Sequence, residues 1–272
     1  MKQMLLGTPV GRMALSLRDK IQALSAVCFH PENTESILNE QLAVQLVTKM
    51  CQPGKCFIDV GAHIGSITSA VIRHDPSIKI IAVEPIPEKV VRLRRKFPSV
   101  EVHECALGSQ DGEVTFFIDT KQTGYSSLLR PANERASNIT EIKVPMRKLD
   151  NLVSSGDIDV IKIDAEGAEL GVLHGSTHLL QKNRPVIMFR TILSFEPEVN
   201  DAKEALWRYF AEQNYAVLIP SHVAHNDPGL SQNGFMESQV YPDRARRYFA
   251  IPKERRDEIR DRARKIQKAP AV

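Results

Sequence analysis

The chain has 272 residues, 42% of them hydrophobic and 25% charged, and a formal net charge of +3. That length accommodates one large α/β domain with a full core. Residues 253–272 hold eight Lys/Arg and four Asp/Glu, leaving 28 basic against 29 acidic residues elsewhere, so a broad nucleic-acid-binding face is not expected. The cysteines, Cys28, Cys51, Cys56 and Cys105, form no Cys-x-x-Cys pair and no zinc-like cluster. Reduced thiols and a cytoplasmic location are expected. No apolar run approaches the roughly 18 residues of a membrane span, and no signal-peptide core is read.

Residues 1–52 read as a helical leader that layers over the domain or caps its pocket. Apolar positions predict one helix over 12–27 and a second after Pro31, ended by Pro53-Gly54. Strand and helix then alternate. Strands are predicted at 56–60, 78–84 and 100–105, with helices at 64–74 and 87–97 between them. This spacing implies right-handed crossovers and a parallel sheet. Residues 106–112 read as a turn. The segments 113–119 and 140–149 read as an inserted hairpin with a long tip loop, of a length usually functional. Alternation resumes with a strand at 159–164, a helix at 168–173, a strand at 184–190, a helix at 201–213 and a strand at 215–219. After a polar loop at 220–242 comes a last strand at 247–251. No helix separates the final two strands, so antiparallel pairing is expected. The methyl-rich stripe Ile259, Ala263 and Ile266 marks the charged tail, 253–272, as a helix packed along one edge. A dimer contact there is the lesser reading. The core domain is taken as 53–252.

The chemistry starts at the first strand end. Asp59-x-Gly61-x-His63-x-Gly65 places a tight glycine turn between strand and helix. The middle glycine of a dinucleotide fingerprint is replaced by His63, which crowds a diphosphate. Asp59 would repel a diphosphate and suits a cationic amine or sulfonium. Glu84 ends the second strand, where a carboxylate accepts bonds from ribose hydroxyls. Glu104 and Ala106 end the third, where adenine could lie. Taken together, these positions describe S-adenosylmethionine.

The strand at 159–164 is the other informative stretch: Ile161-Lys162-Ile163-Asp164-Ala165-Glu166-Gly167-Ala168-Glu169. Asp164 faces the same crevice as Asp59. A carboxylate there, Asp164 or Glu166, could take a proton from a hydroxyl nucleophile. Helix capping is the plainer role for both. This motif, with Asp59–Gly65, Val83-Glu84-Pro85, Ala106-Leu107-Gly108 and Val172-Leu173-His174-Gly175, resembles the FkbM-type methyltransferases. The resemblance covers roughly residues 38–251.

What it implies is a class I methyltransferase, Rossmann-like fold: a seven-stranded sheet with helices on both faces and the last strand antiparallel. The implied activity is methyl transfer from S-adenosylmethionine to a hydroxyl of a sugar, glycolipid or secondary metabolite. Carried over, Asp59, Gly61, His63 and Gly65 line the methionine end. Glu84 holds the ribose, Glu104 and Ala106 border the adenine, and Asp164 and Glu166 face the methyl group. His63 stands where the family often has Asn. Arg190 ends a strand where an acid is common, which points toward an acidic acceptor. A small-molecule or glycan acceptor is the expected partner.

Two other readings stand beside this one. A nicotinamide-dependent oxidoreductase would use the same turn, and a non-catalytic cofactor-binding module would keep the fold alone. A metal held by Asp164, Glu166 and His63 is chemically conceivable, but no metal is expected. Ser126 and Ser127, with Gly124 and Tyr125, lie in the tip loop and could touch a ligand.

Overall fold

The structure, a computed structural model, describes residues 21, 25, 28–121, 126–128, 138–153, 156–191 and 197–268. Most of the helix expected over 12–27 and most of the hairpin tip, with Gly124 and Tyr125, lie outside the described residues. The leader contributes α1 (Thr34–Met50). Then follow β1 (Cys56–Val60), α2 (Ser66–His74), β2 (Lys79–Val83), α3 (Pro87–Lys96) and β3 (Glu101–His103). The inserted element comprises β4 (Ala106–Leu107), β5 (Gly112–Asp119) and β6 (Ile139–Arg147). After the short α4 (Leu149–Leu152) come β7 (Ile158–Ile163), α5 (Glu169–His174), α6 (Thr177–Asn183) and β8 (Val186–Arg190). The chain ends with α7 (Pro197–Glu212), β9 (Tyr215–Leu218), α8 (Gln232–Glu237), β10 (Arg247–Pro252) and α9 (Arg256–Lys268).

Seven strands form one sheet in the order β3-β2-β1-β7-β8-β10-β9. β1, β2, β3, β7 and β8 run parallel. β10 is antiparallel to both β8 and β9. This is the class I methyltransferase order with its one reversed strand. β1 and β7 are buried along their whole length, as continuous apolar strands must be when helices cover both faces. Alternate side chains serve opposite layers: Ile58 and Tyr248 pack with α5, α6, α7 and α8. Phe57 and Phe249 pack with α1, α2, α3 and α9. Ile259, Ala263 and Ile266 of the tail helix are buried in that second layer.

Three elements differ from expectation. The turn at 106–112 begins with a strand, because Ala106–Leu107 pairs in parallel with Met146 and Arg147 of β6. The hairpin is thereby a three-stranded sheet. A second helix, α6, precedes β8. The loop at 220–242 carries a 3-10 turn, Pro220–His222, and α8.

The register fixes the site. Val60 lies beside Val83 on one side and Ile163 on the other. The carboxyl ends of β2, β1 and β7 therefore finish in line. Asp59 sits next to Lys162 in the same register, and Arg190 of β8 sits opposite Arg247 of β10.

Candidate active site

A cavity of about 1090 Å³ opens at this edge of the sheet. Its floor is the β1 turn. Gly61 has φ +72° and lies so close to β7 that a Cβ would stand 2.2 Å from the Asp164 carbonyl oxygen. Gly65, at φ +74°, packs on α3, and a Cβ would meet the Phe97 ring at 2.5 Å. Both glycines are therefore demanded by the turn and its packing. Gly61 lines the cavity and Gly65 does not. His63 adopts φ +54° without being glycine, and Glu166 adopts φ +47°. Both line the cavity. Backbone strain of this kind gathers at functional sites.

Asp59 corrects the sequence reading. It is fully buried and is not part of the cavity wall. Lys162 Nζ stands 3.0 Å from its Oδ1, and the Thr68 hydroxyl donates to its Oδ2 at 2.6 Å. Its charge is used beneath the turn and is not offered to a ligand. Lys162 also donates to the carbonyls of Val60, at 3.0 Å, and Gly61, at 2.7 Å. The lysine is thus a staple from β7 to the glycine turn. The sequence held a signal for it: a lone lysine in a strand buried on both faces must find a partner.

Glu84 lies where the sequence placed it, buried at the end of β2 and on the cavity wall. The His63 N–H donates to its Oε2 at 2.8 Å and the Ile86 N–H to its Oε1 at 3.2 Å. Burial raises its pKa, with Lys89 and the two backbone donors pulling the other way. The His63 imidazole is pushed down to about 4 by burial and by the cations Lys89 and Lys162, so it is neutral at physiological pH.

Glu104 and Ala106 do not reach the cavity. Glu104 is exposed and pairs with Arg94 at 3.5 Å. Ala106 is drawn into β4 and packs with Ile86, Phe116 and Val144. Pairing of β4 with β6 turns that strand end away. Ile86 and Lys89 stand on the cavity wall beyond Glu84 instead.

On the β7 side, Asp164 and Glu166 both line the cavity. Burial opposes the Asp164 charge, but Lys162, Arg190 and Arg247 outweigh it and hold the carboxyl below its ordinary range. Arg190 Nη1 is 3.6 Å from Asp164 Oδ1 and 2.9 Å from Glu166 Oε1. Glu166 is shifted upward, burial exceeding the pull of Arg190. Asp164 Oδ1 is buried and has no hydrogen-bond partner among the described residues. Ser126 lines the cavity, and Ser127 donates to the Glu166 carbonyl at 2.8 Å. Glu169 turns away from Glu166. It accepts from the N–H groups of Ala165, at 3.1 Å, and Gly167, at 3.0 Å, and so closes the loop that presents Asp164 and Glu166.

The leader reads as a layer over the domain or a cap over its pocket, but no motif singles out the residues of the remaining wall. α1 supplies Ser36, Glu40 and Val44, and the approach to β10 supplies Asp243, Arg246 and Arg247. Their contribution depends on packing between chain ends some 200 residues apart, which no local pattern encodes.

Comparison with known proteins identifies the family. The family model described as "Methyltransferase FkbM domain" matches residues 59–217, more than half of the chain. The 2-O-methyltransferase NoeI of Sinorhizobium fredii is 26% identical over 157 residues, covering 52% of this chain and 65% of its own. The hexuronic acid methyltransferase AglP of Haloferax volcanii is 28% identical over 156 residues, covering 55% of this chain and 61% of its own. This chain therefore spans less than two thirds of either relative. A solved FkbM methyltransferase from Methylobacillus flagellatus aligns with 73% of this chain and 43% of its own, at 16% identity and a TM-score of 0.46. The chain belongs to the FkbM methyltransferase family.

Proposed function

We propose that this protein transfers a methyl group from S-adenosylmethionine to a hydroxyl of a sugar, glycolipid or secondary metabolite. The observation that carries this reading is Asp164: an ionised carboxylate on the cavity wall whose Oδ1 accepts no hydrogen bond, the Arg190 guanidinium standing 3.6 Å away. A buried oxygen without a donor is costly, and a cationic ligand group satisfies it. Asp164 and the backbone of the Gly61 turn would hold the methionine end. Glu84, whose two oxygens each accept one backbone N–H and keep further lone pairs, would take the ribose hydroxyls. Ile86 and Lys89 would border the adenine in place of Glu104 and Ala106. His63 in the middle of the turn weighs against a dinucleotide, and so against the oxidoreductase reading.

S-adenosylmethionine supplies an electrophilic methyl group on a sulfonium. The protein's share is orientation of the two reactants and removal of one proton. Glu166 suits the proton acceptor. Burial raises its pKa above that of a free carboxyl, and Arg190 fixes its Oε1. Asp164, held ionised by three cations, suits the electrostatic role. Oxygen as the methylated atom is supported by the likeness to NoeI, a 2-O-methyltransferase. Among the described residues no helix is long and apolar enough to cross a membrane. We assign the enzyme to the cytoplasm, in keeping with its free cysteines.

Calorimetry tests the cofactor. The folded protein is expected to bind S-adenosylmethionine and its demethylated product, and no binding overturns the reading. Asp164→Ala is expected to lose both binding and transfer. Glu166→Gln is expected to keep binding and lose about 100-fold or more in kcat, the usual weight of a general base.

A further inference from the structure

One end of the cavity is built from chain outside the family match. α1 and the segment before β10 fall on either side of residues 59–217, yet they close the wall beside Asp164 and Glu166. They are tied together. The Ser36 hydroxyl donates to Asp243 Oδ2 at 2.7 Å. Asn39 donates to the Arg244 carbonyl at 2.9 Å and accepts from the Ser221 N–H at 2.8 Å. Arg244 pairs with Glu35 at 2.9 Å. The wall is thus preformed, so a ligand binding against it meets little ordering cost.

The charges on this wall are already matched. Arg190 holds Glu166 and approaches Asp164. Arg246 pairs with Asp243 at 3.1 Å. Arg247 pairs with Glu40 and stands 4.0 Å from Asp164 Oδ2. Three guanidinium groups face four carboxylates. An anionic acceptor would have to break one of these pairs, since each of the three guanidinium groups already has a carboxylate partner. Two carboxylate oxygens on this wall are left without a donor. Glu40 Oε1, like Asp164 Oδ1, is buried and accepts no hydrogen bond among the described residues. Hydroxyl groups supply such donors, and their oxygens accept from Arg247 in return.

We propose that Glu40 and Arg247 bind a hydroxyl neighbouring the one that is methylated, and that this pair selects an uncharged polyol over an anionic acceptor. The inference rests on the methyl-transfer reading above. It reverses the expectation drawn from Arg190 in the sequence, because the charge of Arg190 is spent on Glu166 and Asp164.

The test uses the whole chain, S-adenosylmethionine, and a panel of neutral glycans matched with the corresponding uronates. Transfer is read by mass shift and cofactor binding by calorimetry on the same preparation. Neutral glycans are expected to show at least about tenfold higher kcat/KM, a difference of one buried charge contact. Preference for the uronates overturns the proposal, as does cofactor binding with no glycan methylated. Absence of cofactor binding instead removes the methyl-transfer reading beneath it. Glu40→Gln is expected to raise the acceptor KM about tenfold with cofactor affinity unchanged. Glu40→Asp, which keeps the charge and shortens the reach, is expected to fall between. An unchanged acceptor KM in folded Glu40→Gln overturns the role of Glu40.

Discussion

Replacing Lys162 by Met isolates the staple beneath the glycine turn. Met has nearly the same length, so the change removes charge and donors without leaving a large void. Three groups lose a partner. Asp59, fully buried, keeps only the Thr68 hydroxyl as a donor, and the carbonyls of Val60 and Gly61 lose the ammonium at 3.0 and 2.7 Å. Lys162 is 5% exposed, so solvent screens little of the loss. Removing one member of a buried ion pair costs about 3–5 kcal/mol, a large part of the roughly 5–15 kcal/mol that holds a typical domain folded. Urea unfolding followed by circular dichroism measures it, with the denaturant slope checked for constancy. The double variant Lys162→Met, Asp59→Asn removes the stranded charge and is expected to recover about half of the loss, since Asn still accepts from Thr68. A single-variant loss below about 1 kcal/mol, the scale of an exposed pair, would refute the staple. So would a double variant no more stable than the single.

Other outcomes follow from the same geometry. Burial pushes the Glu169 carboxyl up from 4.5 to about 7 despite its backbone donors. Its stabilising contribution is therefore full below about pH 4.5 and lost as pH rises through about 7. Relative to the non-titrating Glu169→Gln, the wild type should lose roughly 3 kcal/mol across that window; a pH-independent difference in urea midpoints contradicts this. His63, pushed down from 6.5 to about 4, gives stability that is full above about pH 6.5 and lost as pH falls through about 4. Its imidazole resonance in NMR should titrate near the lower value, and a midpoint near 6.5 would show that the ring is solvated. Gly61→Ala forces a Cβ against the Asp164 carbonyl. We expect a stability loss of about 2 kcal/mol or more together with loss of cofactor binding, measured by thermal melting and calorimetry.

Much of the fold was legible because its signals are local. Apolar runs bounded by Pro and Gly locate the strands, as at Pro53-Gly54 before β1 and Pro85 after β2. The absence of a helical pattern between the last two strands points to their antiparallel pairing, which the sheet shows although the short α8 lies between them. Elements held only by tertiary partners were not legible. β4 is two residues long and exists because β6 lies beside it. That pairing also explains why Ala106 and Glu104 leave the cavity. The carboxylates at strand ends divide in the same way. Glu84 and Asp164 line the cavity because β2 and β7 finish in register with β1. Asp59 lies one residue before its strand end, which turns it under the sheet toward Lys162.

The sequence by itself determined the alternation of strand and helix, the glycine turn, and the acidic loop after β7, since each depends on residues within a few positions of one another. It therefore carried the family and the position of the crevice. Tertiary structure decided which charges face that crevice and which are spent inside the protein. Lys162 neutralises Asp59 through strand register, Arg190 engages Glu166 across a strand boundary, and Glu40 meets Arg247 across 207 positions of chain. Charge pairing depends on distances of a few ångströms between remote segments, and only the packed sheet with its two chain ends sets those distances.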